Sequence, residues 1–163
     1  MEQLETIDLQ KVIKKELITV DLEATTKEGV IYELTDLLYE GGCLTDQEAF
    51  IKDVFLREKE GATGLGNGIA IPHGKSGSVL KTRIAVGISK NNISWESLDD
   101  KPVNAIILFA VQDSDANTTH ILLLQQVAIF LADEDFLERL KNARSEEEVI
   151  ELFTKNKKRN GEY

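Results

Sequence analysis

Residues 103–111 read Val-Asn-Ala-Ile-Ile-Leu-Phe-Ala-Val, a nearly unbroken apolar run. It is far shorter than the roughly 20 residues of a membrane-spanning helix. It has the character of a strand buried inside a covered sheet. A second strand is predicted over 82–89, where Ile84, Val86 and Ile88 alternate with Ala85 and Gly87. Residues 17–22 alternate more weakly and are read as a first strand, and 69–71 as a short strand ending at Pro72. Helical spacing separates these strands. Thr26 is the expected N-cap of a helix carrying Val30, Ile31, Leu34, Leu37 and Leu38, and Gly41-Gly42 ends it. Thr45 or Asp46 opens another, with Ala49, Phe50, Val54 and Phe55 on one face, ending near 58–61. Beyond a polar loop at 113–119, helices are expected over 119–132, 133–143 and 145–154. Helices and strands mixed along one chain predict an α/β sandwich around a single sheet. Strand order is not encoded in these local patterns.

The 163 residues suit one domain, read as 1–154, with residues 155–163 (KNKKRNGEY) as a basic, disordered tail. The hydrophobic fraction of 42% supports a real core. The N-terminal MEQLETIDLQ is acidic and polar, unlike a secretory leader, and no run is long enough to insert in a membrane. The single cysteine, Cys43, excludes an internal disulfide and fits a reducing compartment, so a cytoplasmic location is expected. Cys43 follows two glycines and has no basic neighbour to activate it, so it is read as inert. The net charge is −10, and the tail holds four of the basic residues. Such an acidic body repels nucleic acid and anionic lipid and suits a basic protein partner.

Residues 61–68 form a glycine-rich stretch that invites comparison with phosphate-binding loops. The dinucleotide fingerprint fails because Ile69 stands where its third glycine belongs, and because the stretch follows a helix and precedes a strand. A P-loop fails too. Gly74-Lys75-Ser76 supplies its end, but Ile69 again occupies the position of its first glycine. No bound nucleotide is expected. Two readings of the loop remain, a long turn without a ligand and a backbone cradle whose N–H groups face an anion.

The two histidines are His73 and His120. A histidine at a strand end is often structural. Pro72 fixes the backbone before His73, however, and Gly74 leaves room after it for a partner to approach. A neutral imidazole is a competent nucleophile near pH 7 and can form a phosphoramidate with phosphorus. His120 precedes Leu123, Leu124, Val127 and Leu131 on one helix face. It is either a core histidine with one hydrogen bond or, in the first helical turn, a donor to a phosphoryl oxygen. Arg57 ends a helix just before the glycine stretch. It either complements the helix dipole or forks onto phosphate oxygens.

The segment 58–74, EKEGATGLGNGIAIPHG, resembles the active-site segment of the fructose/mannitol-type IIA domains of the bacterial sugar phosphotransferase system. Glu58, Leu65, Gly66, Ile69, Ala70, Ile71, Pro72, His73 and Gly74 carry the match. Trp95, the run 99–103 (DDKPV) and Thr119-His120 stand where such domains have similar segments. The resemblance implies a mixed central sheet with helices on both faces and no metal, nucleotide or other cofactor. It implies that His73 accepts a phosphoryl group from phosphorylated HPr, on Nε2, and that Arg57 and His120 stabilise it. It also implies onward transfer to a cysteine of a IIB protein, with a membrane IIC component downstream. Because Cys43 is poorly placed to act as that acceptor, IIB and IIC are expected on separate chains. The related nitrogen-type IIA proteins share the GNGIAIPHG segment and act as regulators. That role stands beside sugar uptake as an alternative, with a structural domain bearing a relic site as a third reading.

Overall fold

The computed structural model describes residues 9–113 and 119–160, with backbone alone at 119, 120 and 155–160. Twelve elements follow one another among these residues. They are α1 (Leu9–Val12), β1 (Ile13–Thr19), α2 (Lys27–Glu40), α3 (Gln47–Glu60), β2 (Gly64–Gly66), β3 (Ile69–Ala70), β4 (His73–Ser76), β5 (Arg83–Ile93), β6 (Val103–Gln112), α4 (Thr119–Leu131), α5 (Glu134–Lys141) and α6 (Glu146–Asn160).

The apolar run at 103–111 is the spine of the sheet. Strand β6 lies antiparallel to β5, with Ile84 opposite Phe109 and Ile88 opposite Ala105. On its other edge β6 pairs in parallel with two short strands in succession, β3 at Ala105–Ile106 and β4 from Phe109 onward. The sheet runs β1-β5-β6-β3-β2, with β4 joined to β6. Strands β1 and β5 are parallel, and β2 and β3 antiparallel, so the sheet is mixed.

Both faces of the two central strands are buried, as a run with no polar side requires. Ile84, Val86, Ile88, Ile107 and Phe109 face α1, α4, α5 and α6. There Phe130, Phe136 and Phe153 form a triangle with ring centroids 5.1–5.5 Å apart. Ala85, Ile106, Leu108 and Ala110 face the opposite way, toward Leu34, Leu38, Phe50 and Val54 of α2 and α3. Most positions of the expected helical faces are buried, with Leu37, Ala49 and Phe55 half-buried, and Leu123 and Val127 of α4 enter the first cluster. Thr26 and Asp46 cap α2 and α3, each accepting from the backbone three residues on at 3.1 Å; such a cap contributes about 1 kcal/mol.

Several expectations need correction. Strand β1 covers Ile13–Thr19 and not 17–22, and the short helix α1 before it carries no periodic signal. The strand expected at 69–71 is interrupted. Ile71 donates its N–H to the Thr63 carbonyl at 3.0 Å, and Pro72 has no N–H to give. The pairing line survives because the Pro72 carbonyl accepts from Phe109 at 3.0 Å, and β4 restarts at His73. His73 therefore opens a strand; it does not close one. The glycine-rich stretch contains β2 and its hairpin turn. Finally, α6 continues to Asn160, past the boundary expected at 154, so the tail's first six residues are helical; 161–163 lie outside the described residues.

Gly74 also proves to have a different use. A Cβ built on it would lie 3.0 Å from both Phe50 and Val54. The space beside Gly74 is filled by this chain's own α3, not left open for a partner. The missing side chain lets α3 settle on β4. Gly74→Ala is expected to lower the stability by about 1–3 kcal/mol, the usual cost of overpacking. Chemical denaturation measures it, and an unchanged midpoint would mean that α3 can retreat freely.

Candidate functional site

Close packing of α3 on β4 determines where Arg57 ends. Val54 touches Gly74, and Arg57 lies three residues further along α3, nearly one turn. His73 is the residue before Gly74. It stands opposite Phe109 in the ladder, so its ring faces the α4 side of the sheet, 6.3 Å from the Phe109 ring. Arg57 reaches it across the edge of β4 and donates from Nε to His73 Nε2 at 3.2 Å. The same guanidinium donates to the Gly61 carbonyl at 3.3 Å.

Two of the contacts of His73 bear on its protonation state. Its Nδ1 lies 3.1 Å from the Ile71 carbonyl oxygen, which can only accept. Its Nε2 faces an Arg57 N–H, which can only donate. The imidazole is therefore neutral, protonated on Nδ1, with its lone pair on Nε2. Burial is the largest influence on its pKa and lowers it below the ordinary value of 6.5, aided by the positive charges of Arg57 and Lys75. The hydrogen bond to Ile71 opposes this shift without reversing it. At neutral pH the ring is neutral, with its Nε2 lone pair directed at Arg57.

Two N–H groups of the glycine stretch are already engaged within the chain. Gly66, Asn67 and Gly68 all have positive φ (100°, 59° and 81°), the conformation of a tight hairpin tip. The Asn67 N–H is taken by the Asp99 carboxylate at 3.2 Å, and the Gly64 N–H by the Glu96 carbonyl at 3.0 Å. Asp99 also accepts from Ser97 and from the Lys101 N–H. Its segment thus anchors the loop.

His120 falls in the first turn of α4. Its side chain lies outside the described residues. Leu123, nearly one turn further on, shares a buried cluster with Phe109, whose ring meets His73. Cys43 is buried, with its thiol pKa raised by burial, which makes it unreactive at neutral pH. Among the described residues no group of three or more His, Cys, Asp or Glu side chains is placed to hold a metal ion. None of the described helices is long and apolar enough to cross a membrane.

Sequence reasoning does not single out Thr63 and gives Glu58 no role beyond the motif. Thr63 donates to Glu58 Oε2 at 2.7 Å and accepts from Trp95 Nε1 at 2.9 Å. Lys27 joins them, 2.7 Å from Glu58 Oε1. Only contacts in three dimensions connect residues 27, 58, 63 and 95, and no local pattern marks the group.

A mixed α/β domain with a buried, neutral histidine held between a carbonyl and an arginine has the features of a phosphoryl carrier. Comparison with known proteins agrees. Residues 11–156 match the family described as phosphoenolpyruvate-dependent sugar phosphotransferase system, EIIA 2, and the chain belongs to that family. It is 34% identical over 150 residues to a fructose-specific EIIABC component of Bacillus subtilis, covering 92% of this chain but 24% of that longer protein. It is 31% identical over 150 residues to a nitrogen regulatory protein of Escherichia coli, covering 91% of each. Among solved structures, the nitrogen regulatory protein IIA-Ntr of Neisseria meningitidis superposes with a TM-score of 0.82 at 29% identity, over 89% of this chain and 98% of that one. The mannitol enzyme IIA of Escherichia coli, determined in complex with phosphorylated enzyme IIB, gives 0.74 at 29% identity, over 88% and 99%.

The depressed pKa has a measurable consequence. His73 is expected to titrate below 6.5 by NMR, and Arg57→Gln to raise the midpoint only partway, since burial remains. Because the folded pKa is lowered, the associated stability is present above the unfolded value of about 6.5 and is lost as pH falls through the folded pKa. A midpoint at or above 6.5 in the wild type would contradict the neutral-ring account.

Proposed function

We propose that this protein is a phosphocarrier of sugar uptake, working in the cytoplasm. It takes a phosphoryl group from phosphorylated HPr on Nε2 of His73 and passes it to a cysteine of a separate IIB protein, with a membrane IIC component downstream. The observation that carries this reading is the pair of hydrogen bonds that leaves the lone pair on Nε2. In the first step the Nε2 lone pair attacks phosphorus. The new N–P bond forms as the donor's N–P bond breaks, and the departing imidazole of HPr keeps the electron pair. In the second step the IIB thiolate attacks phosphorus, an S–P bond forms, and the electron pair returns to Nε2.

Arg57 has two tasks in this scheme. In the resting ring its Nε–H holds Nε2. When phosphorus arrives the guanidinium releases the lone pair and turns its planar fork to the phosphoryl oxygens. His120, in the first turn of α4, adds a donor where the helix end favours an anion. No metal, nucleotide or other cofactor enters either step. The hydrogen bond from Nδ1–H to Ile71 persists throughout and stabilises the positive charge that develops on the ring during attack.

A second reading has its own support in the matches to nitrogen regulatory proteins over almost the whole of both chains. In that reading the same phosphohistidine controls the grip of the domain on a target protein. The two readings share the first step and part at the second.

Incubation with phosphorylated HPr is expected to give the wild type an acid-labile, base-stable phosphate, and to give His73→Ala none. A wild type that takes up no phosphate would refute the carrier reading. Arg57→Gln is expected to slow uptake by about 10²-fold, the scale seen when an aligned charge-stabilising donor is removed. His120→Ala is expected to keep some uptake but slow onward transfer, and unchanged rates would return His120 to a packing role. Delivery to a IIB protein encoded beside this chain's gene supports sugar transport. Phosphorylation with no IIB acceptor and phosphate-dependent binding of another protein supports regulation.

A further inference from the structure

The tautomer of His73 depends on the Ile71 carbonyl, so the groups that fix Ile71 matter to the chemistry. Pro72 restricts Ile71 to extended conformations and has no N–H to tether the chain. Ile71 packs against the core beside the sheet, and its own N–H donates to the Thr63 carbonyl at 3.0 Å. Thr63 belongs to the short connection between the C-cap Gly61 of α3 and strand β2. Its hydroxyl uses both its capacities. It donates to Glu58 Oε2 at 2.7 Å and accepts from the indole N–H of Trp95 at 2.9 Å. Thr63 and Trp95 are buried, and the Glu58 side chain is 4% exposed. Lys27 closes the ring of contacts, 2.7 Å from Glu58 Oε1 and 5.3 Å from the centre of the Trp95 ring. Its ammonium also pairs with Glu96 at 2.6 Å.

We infer that Thr63 is a positioning residue for phosphoryl transfer, holding the Ile71 carbonyl against His73 Nδ1 and so keeping the reactive lone pair on Nε2. Glu58 and Trp95 act through Thr63 by fixing the direction of its hydroxyl. The relay runs from Glu58 and Trp95 to the Thr63 side chain, from the Thr63 carbonyl to the Ile71 N–H, and from the Ile71 carbonyl to the imidazole. Its logic is that of the outer partners of a metal-bound histidine, which orient the ring through its distal nitrogen. Arg57 and Glu58 are neighbours in sequence, so the end of α3 serves both nitrogens of His73, one directly and one through this relay.

The inference builds on the phosphocarrier reading, but its first test does not need phosphate. Long-range proton–nitrogen NMR of 15N-labelled protein reports which ring nitrogen of His73 carries hydrogen. The wild type is expected to show Nδ1–H with an unprotonated Nε2. Thr63→Val removes the hydroxyl at nearly constant volume, and its spectrum is expected to shift toward a mixture of the two neutral tautomers. Thr63→Ser is expected to restore the wild-type pattern. Uptake from phosphorylated HPr should fall by about tenfold in Thr63→Val, the lower end of the loss seen for outer partners of ligating histidines, and recover in Thr63→Ser. Should Thr63→Val fail to fold, Trp95→Phe takes its place. It removes one contact to the hydroxyl, and a smaller shift in the same direction is expected. A folded variant with the wild-type tautomer and the wild-type uptake rate would overturn the inference. A wild type with the expected tautomer that accepts no phosphate would instead overturn the phosphocarrier reading and leave the relay standing.

Discussion

The hydrogen bond between His73 Nδ1 and the Ile71 carbonyl organises the functional end of this molecule. It exists because one ladder of the sheet is broken. Had β3 continued through 71–73 without interruption, the Ile71 carbonyl would be directed along the sheet and not at the imidazole. The break at Ile71-Pro72 turns that carbonyl toward the ring, while the bond from Phe109 to Pro72 keeps the chain aligned for β4 to resume. A strand-to-strand junction on the edge of β6 thus yields a histidine with Nδ1 bound to a carbonyl and Nε2 facing an arginine.

Packing delivers the complement to that nitrogen. Helix α3 comes close because Gly74 offers no side chain to Phe50 and Val54. The approach carries Arg57 over the edge of β4 to Nε2. The positive charge at this distance opposes protonation of the ring, burial opposes it more, and the neutral imidazole is the state that both favour. In the proposed mechanism the same charge receives the phosphoryl group once it is transferred. A protonated ring would lose both advantages, since it has no lone pair and repels the guanidinium.

Much of the architecture is legible in the amino-acid sequence. The nearly unbroken apolar run at 103–111 requires a strand covered on both sides, and the alternation at 82–89 supplies its neighbour. The caps at Thr26 and Asp46 follow from the capacity of those side chains to accept backbone N–H groups. Elements of about four residues or fewer are the weak point. Strands β2, β3 and β4 and helix α1 are too short for periodicity to register, and the pairing of β3 and β4 with β6 is a long-range event. His73 and Arg57 stand out from the motif and its chemistry, whereas their mutual contact depends on the Gly74 packing. A glycine beside a candidate nucleophile suggests access, but Gly74 admits a helix instead. Thr63 leaves no signal, since its importance lies in a backbone carbonyl and a hydroxyl shared among residues remote in sequence. For His120 the sequence supplies a helical face and a first-turn position, and α4 begins where that expectation places it.

The central claim is that the fold reserves Nδ1 of His73 for Ile71 and leaves Nε2 to react. Phosphorus–nitrogen coupling in the phosphorylated, 15N-labelled protein locates the bond directly. Coupling to Nε2 alone, with hydrogen retained on Nδ1, is the result this account requires. A phosphoryl group on Nδ1 would show that the Ile71 contact does not govern the chemistry and would contradict it.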